Sequence, residues 1–236
     1  MQNGTFVIYG IEETLPNTGF QTKSWPLSRA SPWSGTVFTS IDLGAPSPAA
    51  GYDCAVIIHR KAVTAEGKSN TRWEWRNNNV KSLVEVTSFP AYYKEAEKLF
   101  FCRCGRNTAC EALSKLCKVS GGGLSLTKKE LDLTLVKNHL LSSKSEHSMI
   151  NGAWISRKNA ETIKSQAAFG KKITNNSNLL NACEEGKISN LAVQWPRKPK
   201  PIKASISCCG SVHFLAEHDL GECLAFVEYL AVRFGV

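Results

Sequence analysis

The chain has 236 residues and a mass of 25.9 kDa; 42% of the residues are hydrophobic and the net charge is +9. That apolar fraction suits one large or two small globular domains and argues against wholesale disorder, and no repeat of collagen or coiled-coil type is visible. No apolar run reaches the ~18–20 residues that span a bilayer, and Met1 to Gly19 lacks a basic segment leading into an apolar one, so neither a membrane span nor secretion is expected.

In chain order, the first third reads as strands between turns. Thr5–Gly10 is a short β-branched and aromatic run, Thr14–Ser34 a proline-broken loop, and Thr36–Leu43 an alternating strand. Tyr52–Lys61 is a compact apolar strand, Thr71–Arg76 alternates strictly, and Lys81–Ser88 is a further strand. Helical spacing then predicts helices over Ala91–Phe101 and over Thr108–Lys118, the latter with Thr108 and Glu111 as a capping box. A third is predicted over Thr127–Leu141, capped by Thr127 and Glu130, with others at Asn159–Lys172 and Asn178–Glu185. Gln194–Lys203, with three prolines and four basic residues, is expected to be extended. Ala204–Leu215 and Glu222–Phe234 are apolar enough to pack; periodicity leaves the last open between helix and strand.

The expected fold is therefore α+β, with a β-rich N-terminal half, a helix-rich middle and a short mixed C-terminal segment. The alternative is a mainly β sandwich with helical insertions. The expected organisation is a main domain over 1–193, a basic Pro-rich linker or arm over 194–203, and a C-terminal segment, 204–236, packing on the main domain.

Positive charge is concentrated in the middle. Residues 1–70 are neutral overall, 71–130 carry +5, 131–203 carry +7, and 204–236 carry −3. Such a distribution favours a localised site for a polyanion. Three clusters stand out. Arg72, Trp73, Trp75, Arg76 and Lys81 interleave guanidinium groups with indoles, which can meet phosphates and bases together, although two tryptophans on one strand face equally suit a core. Arg157, Lys158, Lys164, Lys171 and Lys172 form a second cluster. Arg197, Lys198, Lys200 and Lys203 form a short extended arm that can lie along a phosphate backbone or act as a nuclear address.

Nine cysteines with no secretory signal point to a reducing compartment, cytoplasmic or nuclear, and to free thiols or a metal site. Cys102, Cys104, Cys110 and Cys117 lie within sixteen residues, and four thiolates can close a zinc site. The C-x-C spacing is a poor chelate, however, and Cys110 and Cys117 sit two helical turns apart, so packing cysteines serve as well. Zinc is the one cofactor the spacing allows. Cys54 and His59 are five apart on one strand and face opposite sides; Cys54 with His213 would make a nucleophile and base only if the fold brought them together. The G-x-S-x-G, H-E-x-x-H, phosphate-loop and dinucleotide fingerprints are absent, so no catalytic residue is assigned and a binding protein is favoured over an enzyme.

The expected function is sequence-nonspecific binding of nucleic acid, RNA before DNA, through these basic clusters. The combination of features suits a compact viral accessory protein. One alternative is a structural or interaction protein: a capsid-type subunit that forms homo-oligomers, or an inhibitor that meets an acidic host protein. The other is a cysteine-dependent hydrolase.

Overall fold

The computed structural model describes residues 4–13, 15, 20–21, 25–26, 36–64, 82–119, 124–143, 149–156, 165–170, 173 and 186–236. The first strand, β1 (Thr5–Ile11), is central. It is followed by β2 (Phe20–Gln21), β3 (Trp25–Pro26), β4 (Thr36–Val37), β5 (Thr39–Ala45), β6 (Asp53–Thr64), β7 (Ser82–Lys94), β8 (Leu99–Cys102) and helix α1 (Arg106–Val119). Then come β9 (Leu126–Lys128), helix α2 (Leu133–Ser142), β10 (Met149–Ser156), β11 (Ser165–Phe169), β12 (Lys187–Trp195), β13 (Ile202–Ser207), β14 (Ser211–Phe214) and helix α3 (Leu220–Phe234). Twelve strands form one sheet in the order β11-β10-β12-β13-β14-β1-β8-β7-β6-β5-β2, with β9 also paired to β1; β3 and β4 pair separately. Among the described residues every strand pair is antiparallel.

Helices cover both sides of the middle of this sheet, which is why β1 reads as an almost unbroken apolar run. Alternation sends Phe6 and Ile8 into a core beneath α2 and α3. It sends Val7, Tyr9 and Ile11 into a second core, where Ala109, Ala112, Leu113 and Leu116 of α1 meet Ile57, Phe89 and Phe100. Along one edge β1 changes partner. Thr5–Val7 pair with β14 and Tyr9–Ile11 with β9. At the changeover the Ile8 N–H donates to the Gly210 carbonyl (2.9 Å) and Lys129 donates to the Ile8 carbonyl (3.1 Å).

The expected helix-rich middle is overturned: among the described residues strand outweighs helix by about two to one, so the fold is mainly β, as in the alternative. Most strands belong to one sheet with helices on both sides. The predicted helix at Ala91–Phe101 is the end of β7, a turn, and β8. Here Ala91 and Phe100 enter one core, and Tyr92 and Phe101 the other. Burial on both faces in a ladder outweighs the helix propensity of the Lys94–Lys98 stretch, which is left to make the turn, with Lys98 at φ 52° and its N–H donating to the Glu95 carbonyl (3.0 Å). Helix α1 starts at Arg106, so Thr108 lies inside it rather than at its cap. The predicted Thr127–Leu141 helix is shortened at its start because Thr127 pairs with Gly10 in β9, and Asp132 caps α2 instead. Within the predicted helix at Asn159–Lys172, Ser165–Phe169 is β11, held by its ladder to β10; Asn178–Glu185 lies outside the described residues. The 194–203 segment contains the end of β12, the connecting loop and the start of β13, which are antiparallel neighbours. Residues 204–236 supply most of β13, with β14 and α3.

Candidate nucleic-acid interface

Of the basic clusters, Arg72, Trp73, Trp75, Arg76 and Lys81 lie outside the described residues, as do Arg157, Lys158, Lys164, Lys171 and Lys172. The third cluster is described. Arg197, Lys198 and Lys200 are exposed on the loop that turns β12 into β13, and Lys203 is exposed on β13 opposite Gln194. Trp195 anchors the loop. It is buried, stacks on His139 (ring centres 5.2 Å apart) and meets Phe226, Tyr229 and Phe234 edge-on. The Arg197 guanidinium donates to the Glu222 carbonyl at 3.4 Å, tying the loop to the first turn of α3. Among the described residues none of these four cations is in an ion pair with a carboxylate.

Lys203 stands on a surface whose other members carry no sequence motif. Ile202, Ala204 and Ile206 of β13, Val212 and Phe214 of β14, and Leu191 and Val193 of β12 enter the core under α2 and α3. Their alternates face the other way. Those are Lys203, Ser205 and Ser207 on β13, His213 on β14, and Asn190, Ala192 and Gln194 on β12. The register extends this face through Gly152 and Trp154 of β10 to Ala167 and Phe169 of β11, and through Thr5 of β1. Contacts across it agree. Ser205 donates to Asn190 Oδ1 (2.9 Å), Thr5 Oγ1 meets His213 Nδ1 (2.9 Å), and Trp154 and Phe169 pack edge to face with ring centres 4.7 Å apart. Phe169 is 63% exposed. None of the side chains named on this face is acidic.

Trp154, Phe169 and Asn190 carry no signal as site residues in the sequence, and His213 stands out there only as a base for Cys54. The signal available was the alternation in Met149–Ser156, and the helical reading of Asn159–Lys172 hid the strand that brings Phe169 beside Trp154.

The cysteines distribute differently. Cys102 is fully buried on β8, and burial pushes its thiol well above the usual range. Cys104 is pushed up to about 12, first by burial and then by Cys110. The Tyr9 hydroxyl donates to Cys110 Sγ (3.4 Å), and its own pKa is raised by burial and by that bond. Cys117 is half-buried farther along α1; burial raises its thiol, while backbone hydrogen bonds to Leu126 and to itself oppose the shift. Among the described residues no three His, Cys, Asp or Glu side chains are gathered to hold a metal ion. Cys54 and His213 are not brought together: four strand spacings separate β6 from β14, about 19 Å, and the two residues point to opposite faces.

Among the described residues no helix is long and apolar enough to cross a membrane. Comparison of the chain with protein-family models and with curated proteins finds no match.

Proposed function

We propose that this protein binds nucleic acid without sequence preference, RNA before DNA, with Arg197, Lys198, Lys200 and Lys203 contacting phosphates at the rim of the open β10–β14 face. The observation that carries this reading is four exposed cations, free of carboxylate partners among the described residues, three on the β12–β13 loop and Lys203 on the sheet face that the loop adjoins, whose named side chains include no acid. Phosphate contacts fix position and affinity but carry no sequence information, which fits a cluster of exposed basic side chains centred on a loop.

The test is fluorescence anisotropy of a short RNA and a matched DNA over a salt series, on nuclease-treated protein. Four contacts to a single strand give a log–log slope of about −2 to −3. Reversing Arg197 and Lys198 together to glutamate weakens binding by about tenfold or more and makes the slope shallower by about 1.4. Weak binding at low salt, or an unchanged slope in the double variant, removes the loop from the site.

Self-association is a second reading, favoured by Leu135, Tyr229 and Val232 on the neighbouring helices α2 and α3. They are 49%, 39% and 66% exposed. Light scattering on nuclease-treated protein then gives twice the 25.9 kDa chain mass, and Val232→Asp returns it to one; a single-chain mass in the unaltered protein discards this reading.

A further inference from the structure

We infer that the open β10–β14 face is a stacking platform for unpaired bases, centred on Phe169 and Trp154, so that the nucleic acid it takes is single-stranded. This rests on the function proposed above and adds to it the form of the ligand.

Phe169 is a large apolar ring left mostly in solvent on an outermost strand of the sheet. Its position is nevertheless defined. A Cβ at Gly152 would come within 3.0 Å of the Phe169 ring and 3.2 Å of Ala192 Cβ, so the absence of a side chain at Gly152 is what lets the ring settle against the strand. Trp154 meets that ring at 84°, closing one side. Phe169 is thus packed from below and from one flank, with its outer surface left for a partner. A flat, sequence-tolerant π-face is what an unpaired base stacks on.

The surroundings suit a nucleic acid better than a protein. Asn190 is the ladder neighbour of Trp154, and Ser207, Ser205 and His213 continue the same face across β13 and β14, polar groups that can hydrogen-bond base edges and sugars. From the Asn190–Ser207 pair to the Gln194–Lys203 pair is four residues along each strand, about 13 Å, so a chain with its bases on Phe169 and Trp154 runs toward the cations of the loop. A duplex cannot use this arrangement. Its bases are stacked internally, and the major groove of A-form RNA is too deep and narrow for a flat sheet to enter.

The experiment compares three ligands of equal length with the intact protein: a single-stranded RNA, the same sugar–phosphate backbone without bases, and the RNA duplex. The single strand should bind at least tenfold more tightly than the abasic backbone. Phe169→Ala should lose about tenfold on the single strand and nothing on the abasic backbone, while Phe169→Tyr keeps the ring and the affinity. Equal affinity for the single strand and the abasic backbone overturns the platform. So does Phe169→Ala binding the single strand as the unaltered protein does. In both cases, loss of binding on reversing Arg197 and Lys198 would still support the phosphate reading. Failure of all three ligands to bind at low salt overturns both.

Discussion

His59 is 1% exposed, and its Nδ1 lies 2.8 Å from the hydroxyl of Thr39, its cross-strand neighbour. Its Nε2 is 3.4 Å from Glu111 Oε1, close enough for attraction but without an aligned hydrogen bond. Burial lowers the His59 pKa, and Lys115 lowers it further, against an opposing pull from Glu111. Because the folded value lies below the ordinary 6.5, the unfolded chain takes up this proton first as pH falls. The stabilisation is complete above about 6.5 and is lost as pH drops from there toward the lowered value. Urea unfolding at pH 7.5, 6 and 5 is expected to show stability declining across that window, with a shallower decline in His59→Gln. Glu111 acts in a separate window. Its carboxylate, held low chiefly by the hydrogen bond from Lys115, loses its contribution only as pH falls below about 4.5. None of this was legible beforehand. The spacing showed that His59 and Cys54 face opposite sides, but the partners of His59 come from β5 and α1, remote in sequence.

At the scale of elements, the errors share a cause. The composition of Ala91–Phe101 and the Thr127–Glu130 spacing are sound local signals, and each was outvoted by a strand neighbour: β8 lies beside β1 and β7, and β9 beside β1. Ladder partners lie beyond any sequence window, so periodicity cannot weigh them. The start of α2 gives a direct check. Asp132 Oδ1 accepts the backbone N–H groups of Thr134 (2.8 Å) and Leu135 (3.1 Å). Asp132→Ala should therefore cost about 1 kcal/mol in chemical denaturation. Thr127→Ala, exposed on β9, should stay within about 0.5 kcal/mol of the unaltered protein. The opposite ranking would restore Thr127 as the cap. The C-terminal segment, left open between helix and strand, is α3: Asp219 accepts from Gly221, and Leu224, Val227, Leu230 and Ala231 are buried on one side.

Across the whole molecule, antiparallel runs flank β1, and each ends in a helix: β5–β8 in α1, and β12–β14 with β10 in α3. The two helices pack on opposite sides of the sheet, so each half leaves a different face to solvent. The uncovered side of the β5–β8 half carries Asp42 and the exposed Val86. The uncovered side of the other half carries the aromatic pair and Lys203 and no named acid, which is why the proposed polyanion site is put there. The halves are tied by Glu228 of α3, which accepts from the Tyr52 hydroxyl (2.5 Å) and from Lys94 (2.8 Å). They are tied again at Gly210, in the turn before β14. Its φ is +70°, and a Cβ there would fall 2.1 Å from the Lys129 carbonyl oxygen. Gly210→Ala should cost at least about 2 kcal/mol, lowering Tm by roughly 4–8 °C in a thermal melt. An unchanged Tm would mean that the β1 partner exchange is looser than it looks.

Local and additive properties were readable from the chain alone. Net charge sums over residues wherever they lie, so a basic middle and a basic Pro-rich loop were readable from a list. Strands with strong alternation or a continuous apolar run, β1 and β6 above all, were readable because burial on one face or two leaves a period in the chain. The tertiary structure alone decided which strands became neighbours. It placed Phe169 of β11 against Trp154 of β10, with Asn190 next to Trp154 and Ser205 and His213 farther across the same face; it also set Cys54 and His213 on opposite faces. A sheet face is assembled from every second residue of several strands, with each register fixed by ladder bonds and by the core on the far side. Such a surface leaves no contiguous motif to read.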